Sequence, residues 1–413
     1  MRRSSLAEPP AGAKRFAPAT VEALCEVLAR ANAEQIPLEI AGANTLGGMG
    51  SPARASTIVT TLALNALIAH EDADLTCAMQ SGITLSAFDK TLAQHRQFVP
   101  LDAPLRTKAT IGGTVASGWL SPRRHLYGRA RDLIIGTEIA LVNGTLAHAG
   151  GMVVKNVTGY DMSKLYAGSF GTLGVLTRVN FKTLPLPRAR RALLAKLPEN
   201  TRARAAAQLT ALSVIPAATI FVEGFRKNIE GADGIDGRTF VLLEGSEALL
   251  ERGTREIRTA LGRAGVPETT IFDMGCGAML ERIADACVAS LGQRSITYRS
   301  LGLADSAMER ATRLRDAANR QRLFTDLLFD ANNGDVFVRL SDRDSRGFAA
   351  KIEQCHDELR AIDPRLTIVA GEAPIRAALD PWGEPPPAIS YMRKLKAQFD
   401  RHNILNPGRF IVG

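Results

Sequence analysis

Hydrophobic and polar positions repeat with two different periods along this chain. From Thr20, TVEALCEVLARANAEQ returns an apolar residue every three or four positions, which predicts a helix with one buried stripe and Thr20 as its N-cap. LEIAGA (38–43), STIVTT (56–61) and LTCAMQSGIT (75–84) are short β-type runs, and SAFDKTLAQHR (86–96) is helical again, with Ser86 as cap. DLIIGTEIALVNGTLAHAGG sets Asn143-Gly144 between two apolar runs, which predicts a type I′ hairpin with φ > 0 at both central residues. GVLTRVNFKTLP (174–185) closes the region as a strand.

The texture then changes. Pro185 and Pro187 precede the basic run RARRALLAK, and from 188 to 385 the glycine clusters thin out. Strands such as ATIFVEG, TFVLLEG, SITYRS, DVFVRL and LTIVAG alternate there with long amphipathic runs. SEALLERGTREIRTALGRAG and ADSAMERATRLRDAANRQRLFTDLL both show apolar residues at helical spacing, as expected for helices packed on a sheet. Pro381 and the EPPP run at 384–387 break the chain before a last helix, ISYMRKLKAQFD, and the ending RHNILNPGRFIVG. The expected organisation is one domain over 1–187, an α+β domain over 188–385, and a terminal segment over 386–413.

Composition narrows the function classes. With 413 residues, 46% hydrophobic and 23% charged, the chain is long enough for two or three packed cores and too apolar to be disordered. No stretch stays apolar long enough to cross a bilayer and MRRSSLAEPPAGAKRF has no apolar leader core, so a cytoplasmic protein without an anchor of its own is expected. Five cysteines at wide spacings include no CxxC pair, and the six histidines no HExxH, so no metal site or iron–sulfur cluster is expected and the thiols read as buried and reduced. The charge of +9 gathers in arginine groups, Arg123, Arg124, Arg129 and Arg131, then Arg188, Arg190 and Arg191. Without aromatic stacking residues beside them they argue against nucleic acid and for a solvated face, an acidic partner subunit or a phosphate-bearing ligand.

Three glycine-bearing stretches fall within the first 180 residues or so: AGANTLGGMG (41–50), TIGGTVASGWLSPRRHLYGRARD (110–132) and VVKNVTGYDMSKLYAGSFGTLGVLT (153–177). None has the G-x-G-x-x-G or Gly-Lys-Ser/Thr spacing of a Rossmann site or P-loop. Read as turns between strands, they offer successive backbone N–H groups suited to a dinucleotide pyrophosphate. In TIGGTVASG, Thr110, Thr114 and Ser117 add hydroxyl partners. With YGRARDLIIGTEIALVNG and FDRHNILNPGR, these segments resemble the vanillyl-alcohol oxidase/p-cresol methylhydroxylase flavoproteins. Within that superfamily the chain is most similar to FAD-binding subunits of bacterial three-subunit glycolate oxidases. The likeness is dense over 18–187, weak in the middle, and clear again in the last twenty residues.

The resemblance implies an α+β fold: a two-subdomain FAD-binding domain of the p-cresol methylhydroxylase type plus an α+β cap domain with an antiparallel sheet. It implies non-covalent FAD. Ala41, Gly42, Ala43, Asn44, Thr45, Leu46, Gly47 and Gly48, with Thr110, Ile111, Gly112 and Gly113, are expected to cradle the pyrophosphate. Ala116, Ser117 and Gly118 would line the flavin, and Gly159, Tyr160 and Asp161 the pocket wall. Gly174 and Val175 would meet the adenine or ribose, and Asn406 would reach back to the flavin. Tyr160 and Asp161 also read as a structural hydrogen-bond pair, and Lys155 as either a charge near the flavin or a surface lysine.

Two departures matter. Ala41 and Asn44 stand where the family's first loop usually opens with Arg-Gly and carries a further Gly or Ser, and no histidine there invites a covalent flavin bond. On the substrate side, VAGEAPIRAALDPWGEPP lacks the family's histidines, leaving Tyr160 and Arg376 as catalytic candidates; Arg376 reads either as a partner of a substrate carboxylate or as solvated. The expected role is that of an FAD-binding subunit of a complex oxidising glycolate, or a related 2-hydroxy acid, to the 2-oxo acid. A second flavoprotein and an iron–sulfur subunit would be its partners, and any membrane contact would be peripheral. A scaffold that has lost its flavin and a self-sufficient dehydrogenase are the alternatives.

Overall fold

A computed structural model describes residues 14–153, 159–225, 237–266, 268–289, 294–343 and 345–413. The chain forms two compact units. Unit 1 comprises Met1–Ser121, Arg129–Leu186 and Pro385–Gly413, and unit 2 comprises Pro122–Gly128 and Pro187–Glu384.

Unit 1 holds two main sheets. The first is parallel, in the order Lys14–Phe16, Thr57–Thr60, Leu38–Ala41. The second is antiparallel, in the order Leu67–Glu71, Thr76–Gln80, Val175–Lys182, Ile134–Ala140, Leu146–Gly150. Helix Val21–Ala33, capped by Thr20 as its sequence predicts, buries Leu24 and Leu28 with Leu38, Val59, Ala140 and Val175 in one core. The C-terminal segment joins that core through Ile404 and Leu405. It lengthens the parallel sheet, because Leu38 donates to the Ile404 carbonyl and Asn406 N donates to the Leu38 carbonyl, each at 2.8 Å.

Unit 2 is an eight-stranded antiparallel sheet in the order Thr270–Phe272, Ala189–Leu197, Gly237–Gly245, Ala218–Glu223, Phe324–Asp330, Val336–Ser341, Ser295–Ser300, Thr367–Gly371. Helices Arg202–Thr210, Glu247–Arg263, Ala307–Arg320 and Ser345–Ile362 cover one face. Alternate strand residues such as Leu193, Phe221, Val241 and Val338 point into that core, as the period of two requires.

Most of the basic run RARRALLAK lies in the strand Ala189–Leu197, whose alternate residues Leu193, Ala195 and Leu197 reach the helix-covered core. Several local expectations are corrected. FTDLL ends in a strand and not in the helix before it, which stops at Arg320 as Arg322 turns to φ 55. Thr84, two residues ahead of Ser86, caps helix Leu85–Ala93. TIGGTVAS is a helix, Ile111–Ser117, and not a turn between strands. The Asn143-Gly144 hairpin forms, but only Gly144 has positive φ. Gly144 N donates to the Leu141 carbonyl and Leu141 N to Thr145, a type I turn followed by a left-handed glycine. Asn143 keeps negative φ and accepts from Thr145 N through its side chain at 3.0 Å.

All five thiols are free; four are buried, and burial raises Cys77 and Cys355 to about 12, as inert packed cysteines require. Among the described residues, no helix is long and apolar enough to cross a membrane.

Candidate functional site

The three glycine-bearing stretches meet in unit 1, and they meet by backbone approach. A side chain at Gly42 would collide with the Thr110 hydroxyl, so the first stretch lies against the second. A Cβ at Gly112 would stand 2.7 Å from Ser81 Cβ and 3.0 Å from its carbonyl, which fixes helix Ile111–Ser117 on the strand before Gly82. At the other end of that helix, Gly118 takes φ 62, and its Cβ would stand 3.1 Å from Gly168 Cα. The last carbonyls of the helix are capped by the third stretch: Gly168 N donates to Val115 at 3.0 Å and Phe170 N to Ala116 at 2.8 Å.

This geometry redistributes the expected roles. The helix N–H groups at Ile111, Gly112 and Gly113 are taken by Ile83, Ser81 and the Thr110 hydroxyl at 3.0, 2.7 and 3.1 Å, so they offer no open anion nest. Thr114 and Ser117 likewise turn their hydroxyls onto the helix's own carbonyls. The first loop is different. The N–H groups of Ala43, Asn44, Thr45 and Leu46 find no protein acceptor among the described residues, and Asn44 adopts φ 56. Gly47 leaves room for the Asn44 side chain, which a Cβ would meet within 2.8 Å of Cγ.

Arg409, which the sequence reading passed over, holds this loop from below. Its guanidinium donates to the carbonyls of Leu46, Gly47 and Ser51 at 2.9, 2.9 and 3.0 Å. Carbonyls are thus drawn toward a buried cation while four successive amides remain for an anion. Burial lowers the Arg409 pKa from its ordinary value, the sign of a cation kept from water. Only the basic ending NPGR hinted at it.

Asn406 and Lys396 hold the third stretch. The expectation that Asn406 reaches the flavin gives way to a positioning role. Its Oδ1 accepts from Ile40 N at 2.7 Å, and both Nδ2 hydrogens are engaged, by Phe170 at 2.7 Å and Ile40 at 3.4 Å. Gly171, whose Cβ would stand 3.0 Å from Asn406 Nδ2, leaves the amide its room. Lys396 is buried and donates to the carbonyls of Thr172 and Leu405, each at 3.0 Å, and to Asp400 at 2.6 Å. Gly174 and Val175 are likewise spent on packing: a Cβ at Gly174 would meet the Ala140 carbonyl at 3.3 Å, and Val175 lies in the core beside Leu24.

Tyr160 and Asp161 form no buried pair. Tyr160 is 93% exposed, and Asp161 caps the short helix Met162–Tyr166, accepting from Lys164 N and pairing with its ammonium at 2.8 Å. Gly159 has φ 79 with open space where its Cβ would be. Lys155 lies outside the described residues.

In unit 2 the solvated-face reading fails for Arg123 and Arg124. Arg123 and Arg190 share Glu244 at 3.2 and 2.7 Å, and Arg124 grips both oxygens of Asp335 at 2.6 and 2.8 Å. Asn333 ties the same turn to the Pro122 carbonyl at 2.9 Å. Asp330 accepts from Asn332 N, Asn333 N and Asn333 Nδ2, and burial together with neighbouring Asp335 raises its pKa to about 7. Arg376 is 3% exposed, not solvated, and donates to the Gly371 carbonyl at 2.9 Å. His356 is packed against Tyr298, whose hydroxyl is 3.1 Å from Nδ1, and burial lowers its pKa.

Residues 13–150 match the family model of an FAD binding domain. Over those residues the chain carries an FAD-binding domain. FAD is the cofactor the chain's match supports, and the four amides of the first loop over a buried arginine suit an anionic group such as a pyrophosphate. The fold agrees with p-cresol methylhydroxylase solved with substrate bound, at TM-score 0.71 and 15% identity, covering 96% of this chain and 88% of that one. It also agrees with alkyldihydroxyacetonephosphate synthase, at TM-score 0.67 and 13% identity, covering 95% and 76%. Among sequences, the chain is 26% identical to glycolate oxidase subunit GlcD of Bacillus subtilis over 96% of its length and 88% of the relative's. It is 36% identical to subunit GlcE of Escherichia coli over 169 residues, 41% of this flavoprotein and 48% of that subunit. A D-lactate dehydrogenase of Archaeoglobus fulgidus matches at 26% over 95% of this chain and 90% of its own.

Proposed function

We propose that this flavoprotein is the GlcE-like, FAD-bearing subunit of a glycolate oxidase-type complex, working at the cytoplasmic side, in which glycolate or a related 2-hydroxy acid becomes the 2-oxo acid. When bound, FAD supplies the acceptor for the substrate's hydride. The chain's own residues hold it: the Ala43–Leu46 amides over Arg409 take the pyrophosphate, and Asn406 and Lys396 fix the turn that closes on helix Ile111–Ser117.

The observation that carries the reading is the contrast between the open loop amides over Arg409 and, among the described residues, no free base on the VAGEAPIRAALDPWGEPP side. Removing the hydroxyl proton requires a positioned group that titrates near neutrality. The segment VAGEAPIRAALDPWGEPP has no histidine, His356 is packed against Tyr298, and the Asp330 oxygens are occupied by its own turn. A second flavoprotein subunit would supply the base and substrate site, and an iron–sulfur subunit would carry electrons onward. The near full-length match to GlcD and to a D-lactate dehydrogenase favours a second reading, a self-sufficient 2-hydroxy-acid dehydrogenase.

The test is anaerobic glycolate addition to the purified chain, with FAD followed by absorbance and its content fixed by denaturation. FAD that stays oxidised until partner subunits are added supports the subunit. Rapid bleaching by the chain alone supports the dehydrogenase, and a colourless chain that refuses FAD points to a scaffold.

A further inference from the structure

Helix Ile389–Phe399 of unit 1 has two unlike sides. On the inner side Lys396 is buried on Thr172, Asp400 and Leu405, with Ile389, Met392, Leu395 and Phe399 half-buried around it. On the outer side Tyr391, Lys394 and Gln398 follow one another at helical spacing and share an exposed stripe, flanked by Arg393. Tyr391 is 70% exposed, and the Lys394 ammonium stands 5.9 Å from the centre of its ring. Between 389 and 402 the only carboxylate is Asp400, which is buried in its pair with Lys396. Arg393, Lys394 and Arg401 form no ion pair or hydrogen bond among the described residues.

The stripe runs into a groove of about 360 Å³ where the ends of this helix and of helix Val21–Ala33 meet the Asn143-Gly144 turn. Val142 and Phe399 give it an apolar wall. The rest is donors: the amides of Asn32, Asn143 and Gln398, the Arg401 guanidinium and the His402 ring. No carboxylate lines it among the described residues, and Glu34, just past the end of helix Val21–Ala33, is already held by Arg30 at 2.8 Å.

Charge complementarity selects the occupant. A carboxylate in the groove meets Arg401 and the amides, and further carboxylates along the stripe meet Lys394 and Arg393. A second copy is opposed, since each chain carries +9. A bilayer finds no apolar face to take up, because the helix keeps that side on the protein. Single-stranded nucleic acid needs successive aromatic platforms, and this stripe has one tyrosine.

We propose that this face docks an acidic segment of a partner protein, with one carboxylate in the groove on Arg401 and its neighbours on Lys394 and Arg393. The site rests on neither the cofactor nor the substrate proposed above.

The probe is dye-labelled hexaglutamate, followed by fluorescence anisotropy with the FAD-loaded full chain at low ionic strength, and hexaglutamine is the uncharged control. Saturable hexaglutamate binding at least about tenfold tighter than hexaglutamine is expected. Lys394→Glu/Arg401→Glu should weaken it by about tenfold or more, and the milder Arg401→Gln by about threefold. Arg255→Glu/Arg258→Glu makes the same change in net charge on the exposed side of helix Glu247–Arg263 and should stay within about twofold of the parent. Oligothymidylate and vesicles of phosphatidylcholine and phosphatidylserine, at about three to one, are the competing probes. Absence of saturable binding, equal losses in the two double variants, or an Arg401→Gln variant that binds like the parent would each overturn the proposal. So would tighter binding of oligothymidylate or of the vesicles that Lys394→Glu/Arg401→Glu abolishes.

Discussion

Unit 1 brings distant segments together by leaving side chains out: Gly42 against Thr110, Gly112 against Ser81, Gly118 against Gly168. Unit 2 joins distant segments by charge, Arg123 and Arg190 on Glu244 and Arg124 on Asp335. The two devices fail differently. A backbone contact has no room for even one added carbon, so its damage is steric and local. A buried ion pair tolerates replacement of both partners far better than loss of one, because the survivor keeps its desolvation cost.

The strongest way to break this contrast is Gly112→Val, which drives two methyls toward Ser81. FAD affinity should fall by more than about a hundredfold, read from the flavin retained through gel filtration, and full retention would show that the cradle is not set by this approach. Arg124→Ala strands the buried Asp335 carboxylate and should cost about 3 kcal/mol in urea unfolding of unit 2, much of it recovered in the Arg124→Ala/Asp335→Ala double variant. If the double variant is as unstable as the single, the pair is not the device proposed.

Asn406→Ala removes the bonds to Ile40 and Phe170, a loss of about 2 kcal/mol with roughly tenfold weaker FAD binding; equilibrium dialysis checks the second part. At Asp330 the sign is set by a folded pKa raised to about 7 above an ordinary 3.8. Between those values the folded state binds more protons than the unfolded, so stability falls as pH rises through that window. Asp330→Asn should flatten the slope of melting temperature between about pH 4 and about pH 7. The smallest effect is expected at the exposed Tyr160: Tyr160→Phe should leave flavin retention within about twofold of the parent, whereas a large loss would make its hydroxyl a cofactor ligand.

The same contrast explains what could be read in the sequence. Thr20 and its helix, the strand-rich first region, and the glycine stretches were legible because each is a local demand on backbone or periodicity. The helix at TIGGTVAS hid behind two glycines, whose helix penalty is offset by capping from Thr110 and contact with Ser81. The FTDLL strand hid because the helical spacing of apolar residues runs on into it, while the break before it is a positive φ at Arg322 that no residue type there announces. The Arg124–Asp335 pair was not legible and Arg409 was hinted at only by the ending NPGR, since partners hundreds of positions apart leave little local trace. Arg123 and Arg124, grouped by sequence with arginines read as a solvated face, a partner surface or a phosphate site, are ion-paired within unit 2.

Pro385–Gly413 belongs to unit 1, and Lys396, Asn406 and Arg409 grip the turn and the loop on which the cofactor depends. The order of synthesis follows from this. A ribosome makes the whole of Pro187–Glu384 before those three residues exist, so the nascent first region waits with its two glycine loops unfastened. On the proposed reading FAD capture waits for this last segment, and a chain cut short before Lys396 is expected to keep unit 2 and retain no flavin.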